Sequence, residues 1–168
     1  VMPQLRIGDR CAVVPYLSDG ACQACRAGRS NCCTSLRVLG VHVDGGMSDR
    51  LVLPTSALMP ANDLPIDVLA LIEMLAVGAH ACARARLDER ARVLVVGAGP
   101  IGLSTLAFAR REAAATFVFD VDERRLALAE ASGLARAVQR TAPPSERHEP
   151  GADLVAGLRA LLQGDLPE

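Results

Sequence analysis

The sequence predicts an α/β chain in two parts, a β-rich lobe over residues 1–73 and a βαβαβ unit over 74–168. Three observations carry this. Gly97-Ala98-Gly99-Pro100-Ile101-Gly102 follows the β-branched run Arg92–Val96 and opens an apolar-periodic segment. Asp120 ends the next apolar run, Thr116-Phe117-Val118-Phe119. Short strand-like runs in the first sixty residues enclose a cysteine-rich loop.

In chain order, Cys11–Val14 and Leu51–Leu53 read as strands, with Gly8-Asp9 and Asp44-Gly45-Gly46 as turns. Pro60 to Pro65 is punctuation. The pattern then becomes helical from Asp67 to Arg84, the longest apolar stretch. Glu73 lies in it, and a mid-segment carboxylate makes a buried helix the better reading than a membrane span. Arg92–Val96 predicts a strand and Ile101–Glu112 a helix. A strand ending at Asp120 follows, then a helix over Glu123–Ser132 with Asp122 as its N-cap and Gly133 as its stop. Ala135–Val138 predicts a third strand, 141–150 an exposed loop and Asp153–Leu162 a last helix. A doubly wound nucleotide domain carries about six strands. Three are supplied, so the sequence is expected to be part of a longer chain.

The glycine turn has a specific chemistry. The first glycine permits the tight turn, the second lets backbone approach a pyrophosphate, and the third lets helix and strand pack closely. Free N–H groups at the helix N-terminus then face the anion. Asp120 sits near the offset of about 20 residues expected of the carboxylate that holds an adenosine ribose. Gly97, Gly99, Pro100, Ile101, Gly102 and Asp120 are therefore the candidate coenzyme-binding residues of a Rossmann unit.

Asp19, Cys22, Cys25 and Cys33 follow one another at spacings x2, x2 and x7. Two short gaps wrap three ligands around one ion and the longer excursion returns a fourth, which suits tetrahedral zinc. Such a Cys3Asp set would be closed, hence structural. Free thiols beside a carboxylate, or a redox Cys22/Cys25 pair, are the alternatives, and Cys32 is a substitute for Cys33 that the spacing favours less. Cys11 and Cys82 read as buried small apolar residues. His42 and His80 read as packing or hydrogen-bonded residues, and His148 as solvated.

Composition narrows the function. The chain has 168 residues, a formal net charge of −1, 51% hydrophobic and 2% aromatic residues. Without a basic face or aromatics to stack on bases, nucleic acid is not the expected partner. No signal peptide is visible at Val1–Arg6. Six cysteines concentrated in one loop of a cytoplasmic-looking chain point to metal rather than disulfides.

The ordered motifs resemble the zinc-dependent medium-chain alcohol and polyol dehydrogenases, specifically their sorbitol, threonine and sugar-acid branch. Gly8-Asp9-Arg10, Pro15, Gly20 to Gly28 and Cys33 are similar to that family's structural-zinc loop, and Leu39 to Met47 to the stretch after it. Glu73 to Ala81 resembles the segment leading into the coenzyme domain, and Gly97 to Gly102 with Asp120 completes the likeness. The resemblance implies a partial GroES-like catalytic domain over 1–73 and a partial Rossmann domain over 74–168. It implies NAD-linked oxidation of a secondary alcohol of a polyol or sugar acid, with zinc polarising the substrate oxygen. NADP is less favoured, because Asp120 repels a 2′-phosphate, although Arg124 and Arg125 could pair with one.

By position, the resemblance gives Arg125 a supporting role beside Asp120 and brings Glu73 toward a catalytic zinc, directly or through water. It places the family's catalytic cysteine and His-Glu pair upstream and the nicotinamide half downstream. Little turnover is therefore expected of this segment alone. Two other classes compete: a non-catalytic remnant that binds zinc or the adenosine half of NAD, and a zinc-free reductase relative. The family's habits also imply a homo-oligomer. Four departures stand out. Asp19 replaces a cysteine, Met74 replaces a proline, Ser48-Asp49-Arg50 is expected to disturb the lobe's packing, and Ala113 replaces a helix-ending glycine. The last would cost about 1 kcal/mol if the site needs positive φ.

Overall fold

The computed structural model describes residues 5–135 and the backbone of 137–140. The expected loop over 141–150, the helix over 153–162 and His148 lie outside the described residues. The chain divides into two compact units, Val1–Glu73 and Met74–Glu168.

In the first unit, β1 (Cys11–Val13) pairs antiparallel with β4 (Leu58–Pro60), and β2 (Tyr16–Leu17) with β3 (Arg37–Val38). The register sets Ala12 opposite Met59. Side chains alternate across β1, so Ala12 is buried while Val13 is exposed. The same alternation corrects the reading of Cys11, which is only half-buried. Leu51–Leu53 is not a strand either. Leu58–Pro60 takes the ladder beside β1, Pro54 instead precedes a 3₁₀ turn over Thr55–Ala57, and Val52 is 98% exposed. Beyond the two ladders, side chains tie the ends together. Arg10 N donates to Asn62 Oδ1 (2.8 Å), Asn62 Nδ2 donates to Asp9 Oδ1 (2.9 Å), and the Arg10 guanidinium reaches the Asn62 carbonyl. Ser48-Asp49-Arg50 is exposed and satisfies itself, Ser48 Oγ donating to the Arg50 carbonyl, so the expected disturbance of packing does not arise.

The apolar stretch expected as one buried helix is two. A single turn, α2 (Ile66–Leu69), is followed by α3 (Ile72–Ala85). Leu71 N bonds back to the Val68 carbonyl three residues earlier, tightening the chain at the break. Much of α3 is open, with Val77 exposed and only Gly78 and Cys82 buried. No helix among the described residues is long and apolar enough to cross a membrane.

The second unit is a parallel sheet in the order β5 (Arg92–Val96), β6 (Ala115–Asp120), β7 (Ala137–Arg140), with α4 (Pro100–Glu112) and α5 (Glu123–Ala131) as the crossovers. The third strand begins two residues later than its sequence pattern suggests. Pro100 occupies the first helical position, where its missing N–H costs nothing. Asp122 caps α5 as expected, accepting from Arg124 N at 2.8 Å, and Gly133 stops it at φ +61°. Ala113 is extended (φ −93°), so the absence of a glycine there brings no strain. The core is Ala98, Leu106, Val118, Leu126 and Ala129, flanked by Val95, Leu103, Leu134 and Ala135. β6 is covered throughout, its last five residues buried, as expected of the central strand of a parallel sheet.

Candidate functional site

Two sites emerge, one in each unit. In the first, the loop after β2 is a nest of short turns. Gly20 (φ +68°) lets the chain double back so that Asp19 Oδ1 accepts from Ala21 N (2.8 Å) and Cys22 N (3.0 Å). Cys22 then caps the one-turn helix α1 (Gln23–Arg26), its Sγ accepting from Cys25 N at 3.4 Å. Gly28 (φ +72°) releases the chain from α1, and a 3₁₀ turn over Ser30–Cys32 delivers Cys33 to the same point, its Sγ accepting from Asp19 N at 3.4 Å.

The outcome is that one ligating atom each of Asp19, Cys22, Cys25 and Cys33 lies within 4.8 Å of the others. Four donors converging this closely from four points of a loop fit one tetrahedral ion, and three thiols with a carboxylate fit zinc. Among the described residues no other group of three or more potential ligands gathers in this way. Cys33 is buried within the gathered set, whereas Cys32 is exposed and outside it. The electrostatics differ from donor to donor. Amide donors from Cys22 and Ala21 hold the Asp19 carboxyl far below the usual carboxylate range. The Cys25 amide, first among several donors, lowers the Cys22 thiol to about 7. Desolvation and the neighbouring thiols push Cys25 up to about 12.

In the second unit, the three glycines of the turn differ in conformation and in the space around them. Gly97 is at φ +103°, a conformation other residues rarely adopt. A Cβ on Gly102 would collide with the Gly97 carbonyl oxygen, while one on Gly99 would meet nothing. The helix thus lies directly on the turn, and the backbone at Gly99 is open for a ligand to approach. Pro100 and Ile101 begin α4 beside it, Ile101 half exposed.

Asp120 is tied to the glycine turn. It is buried, its Oδ2 accepts from Ala98 N at 2.6 Å and its Oδ1 from Asp122 N at 2.8 Å. Burial pushes its pKa up, but the amides of Asp122 and Ala98 and the charge of Arg125 outweigh this, and the carboxyl lies below its ordinary value. The carboxylate therefore braces the glycine turn from the neighbouring strand. A carboxylate accepts about four hydrogen bonds, so this bracing is compatible with receiving a ribose hydroxyl. Arg125 pairs with Asp122 (Nε to Oδ2, 3.7 Å) on the same helix.

Glu73 is exposed at the start of α3 and accepts from the Tyr16 hydroxyl at 3.2 Å. With Arg10, Cys11, Ala12, Val13, Ile66, Leu69 and Ala70 it lines an open cleft of about 480 Å³. It is not part of the gathered cysteine set. Sequence reasoning missed Tyr16 as its partner, because no spacing rule links residues on different elements. It also missed Gly78, where any side chain would strike Ser104 and Thr105 of α4 and where Ser104 Oγ donates to the Met74 carbonyl (2.9 Å). A lone glycine inside a helix was the available signal. His42 Nδ1 accepts from Val38 N (3.0 Å) and closes a tight turn, as its hydrogen-bonded reading expects; His80 is exposed.

The alcohol dehydrogenase GroES-like domain family matches residues 2–63. Among curated relatives, L-galactonate-5-dehydrogenase of Escherichia coli is 44% identical over 72% of this chain and 36% of its own length. A sorbitol dehydrogenase of Arabidopsis thaliana is 40% identical over 82% of this chain and 38% of its own. The chain thus spans well under half the length of the relatives it matches. Of the solved structures, galactitol-1-phosphate dehydrogenase of Escherichia coli superposes with a TM-score of 0.81 at 28% identity, covering 96% of this chain and 44% of that one. An Escherichia coli alcohol dehydrogenase complexed with NADH gives 0.76 at 31%, covering 89% and 44%. A proposed zinc-binding dehydrogenase of Sinorhizobium meliloti bound to NADP gives 0.76 at 30%, covering 82% and 41%. Residues 2–63 thus belong to the alcohol dehydrogenase GroES-like domain family, and the chain as a whole is similar to zinc-type alcohol and polyol dehydrogenases.

Proposed function

We propose that this chain supplies the structural-zinc lobe and the adenosine half of the coenzyme site of an NAD-linked dehydrogenase. Its substrate is a secondary alcohol of a polyol or sugar acid, oxidised to the ketone. The observation that carries the reading is the pairing, in one chain, of the gathered Asp19, Cys22, Cys25, Cys33 set with a glycine turn braced by Asp120. The sugar-acid and polyol relatives support the substrate class.

In this reading Asp19, Cys22, Cys25 and Cys33 hold a structural zinc that fixes the loop. Gly97, Gly99, Pro100, Ile101 and Gly102 present backbone N–H groups to the pyrophosphate. Asp120 accepts the ribose hydroxyls and Arg125 stabilises its charge. NAD is favoured over NADP because the Asp120 carboxylate would face a 2′-phosphate. The bound nicotinamide supplies the hydride acceptor. Glu73, held by the Tyr16 hydroxyl, would approach a catalytic zinc. Among the described residues it belongs to no gathered set of three or more potential ligands, and turnover by these 168 residues alone is not expected. The substrate remains a small molecule, and homo-oligomerisation belongs to the same reading.

Calorimetric titration of the chain with NAD, NADP and ADP-ribose tests the coenzyme half. NAD and ADP-ribose should bind with similar affinity and NADP more weakly; preference for NADP would overturn the assignment of Asp120. Incubation with NAD and a panel of polyols and sugar acids should yield no NADH. Robust NADH formation would overturn the binding-only view of the chain. Coenzyme binding by the full-length protein without any oxidation would favour the second reading, a non-catalytic relative.

A further inference from the structure

The four donors gathered in the first unit are not equivalent: three are soft sulfurs and the fourth is a hard oxygen. That oxygen is also the donor whose group is most firmly held. Two short amide bonds, from Ala21 and Cys22, fix the Asp19 carboxylate, and the positive φ of Gly20 makes that turn possible. Both bonds converge on one oxygen, Oδ1, and a cysteine at position 19 would offer those two amides only a weakly accepting sulfur. An alternative fourth sulfur exists in the sequence at Cys32, yet that side chain is exposed and outside the gathered set. The fold therefore selects the oxygen although a sulfur is one residue from Cys33.

We infer that Asp19 sets the metal selectivity of this loop, favouring borderline zinc over softer cations such as cadmium. The inference rests on the reading of the four residues as the zinc site. Zinc accepts carboxylate oxygen and thiolate sulfur at similar cost, whereas soft cations draw their advantage from each additional sulfur. Exchanging one sulfur for an oxygen removes a quarter of that advantage and leaves zinc nearly unaffected. The amide bonds from Ala21 and Cys22 add to this by holding the carboxylate in place before any ion arrives, so little ordering is left for binding to accomplish.

The experiment uses the whole chain, stripped of metal under reducing conditions, with cobalt, zinc and cadmium as probes. Cobalt charge-transfer intensity counts bound thiolates, and competition against a chromophoric chelator gives the cadmium-to-zinc affinity ratio. The wild-type chain and Cys32→Ser should both show three thiolates, and Asp19→Cys four, with the cadmium-to-zinc ratio raised by roughly tenfold or more. Asp19→Asn retains an acceptor for the two amides but not the charge. It should keep the circular dichroism of the wild type while zinc affinity falls by on the order of tenfold or more, a result that stands even if Asp19→Cys does not fold. Four thiolates in the wild type, lost in Cys32→Ser, would overturn the inference. So would an unchanged affinity ratio in Asp19→Cys or an unchanged zinc affinity in Asp19→Asn. Failure of the wild type to bind one equivalent of zinc would overturn the zinc reading itself and this inference with it.

Discussion

The two units of this chain are held together by different means. Met74–Glu168 has a contiguous apolar core in which Leu106 and Val118 are wholly buried between a parallel sheet and its crossover helices. Among the described residues of Val1–Glu73, the buried apolar side chains are Ala12, Cys33 and Ala57. Its ladders are two or three residues long, and its remaining order comes from turns, side-chain to backbone bonds and the gathered cysteine set. A unit with so little apolar burial needs another source of free energy, and a structural metal is one that small folds use. The contrast teaches where each unit is vulnerable: the first at its ligands, the second at its core.

The largest effect should come from taking the metal away. Chelation, or Cys25→Ser, is expected to collapse hydrogen-exchange protection in the first unit, because binding and folding are coupled in such sites with apparent energies of about 10–16 kcal/mol. Amides around Leu106 should keep theirs. Equal loss in both units would break the comparison. Next in size, Leu106→Ala should cost about 2–5 kcal/mol in denaturant unfolding of the second unit and leave zinc affinity unchanged.

Gly102→Ala probes the turn rather than the core. The added methyl has no room against the Gly97 carbonyl, so the second unit should lose about 1–3 kcal/mol and its NAD affinity should drop, read by calorimetry. The smallest effect is the helix cap: Asp122→Ala removes the acceptor for Arg124 and Arg125 N–H and should cost about 1 kcal/mol. Acid should act through Asp120 in the same unit. Its folded pKa lies below the unfolded one, so its stabilisation is present above about pH 3.9 and lost as pH falls through the folded value. Asp120→Asn should flatten that part of the pH–stability profile.

Local sequence encoded more of the second unit than of the first. Glycine spacing, the Asp122 cap and the positive φ at Gly133 are short-range chemistry, and each stands where its pattern puts it. Strand-like runs were less reliable where partners decide. Leu51–Leu53 has the composition of a strand, but the ladder beside β1 went to Leu58–Pro60. Cys11 looked buried by type, and the pleat turned Ala12 inward instead. The apolar segment around Leu71 gave no sign that it would divide into two helices.

What the sequence determined by itself, then, is the order of the chemistry. An x2, x2, x7 ligand loop precedes a glycine turn with an acid at the end of the next strand, because these depend on spacing along the backbone. What only the tertiary structure decided is which groups meet across it. The Asp120 carboxylate crosses from β6 to the amide of Ala98, Gly78 gives way to Ser104, and the Tyr16 hydroxyl finds Glu73 57 residues away. It also decided that Asp19, not Cys32, gathers with the sulfurs of Cys22, Cys25 and Cys33, since the turn at Gly20 fixes that carboxylate among them. Spacing constrains neighbours along the chain, but contacts between distant segments follow from packing, which no local pattern contains.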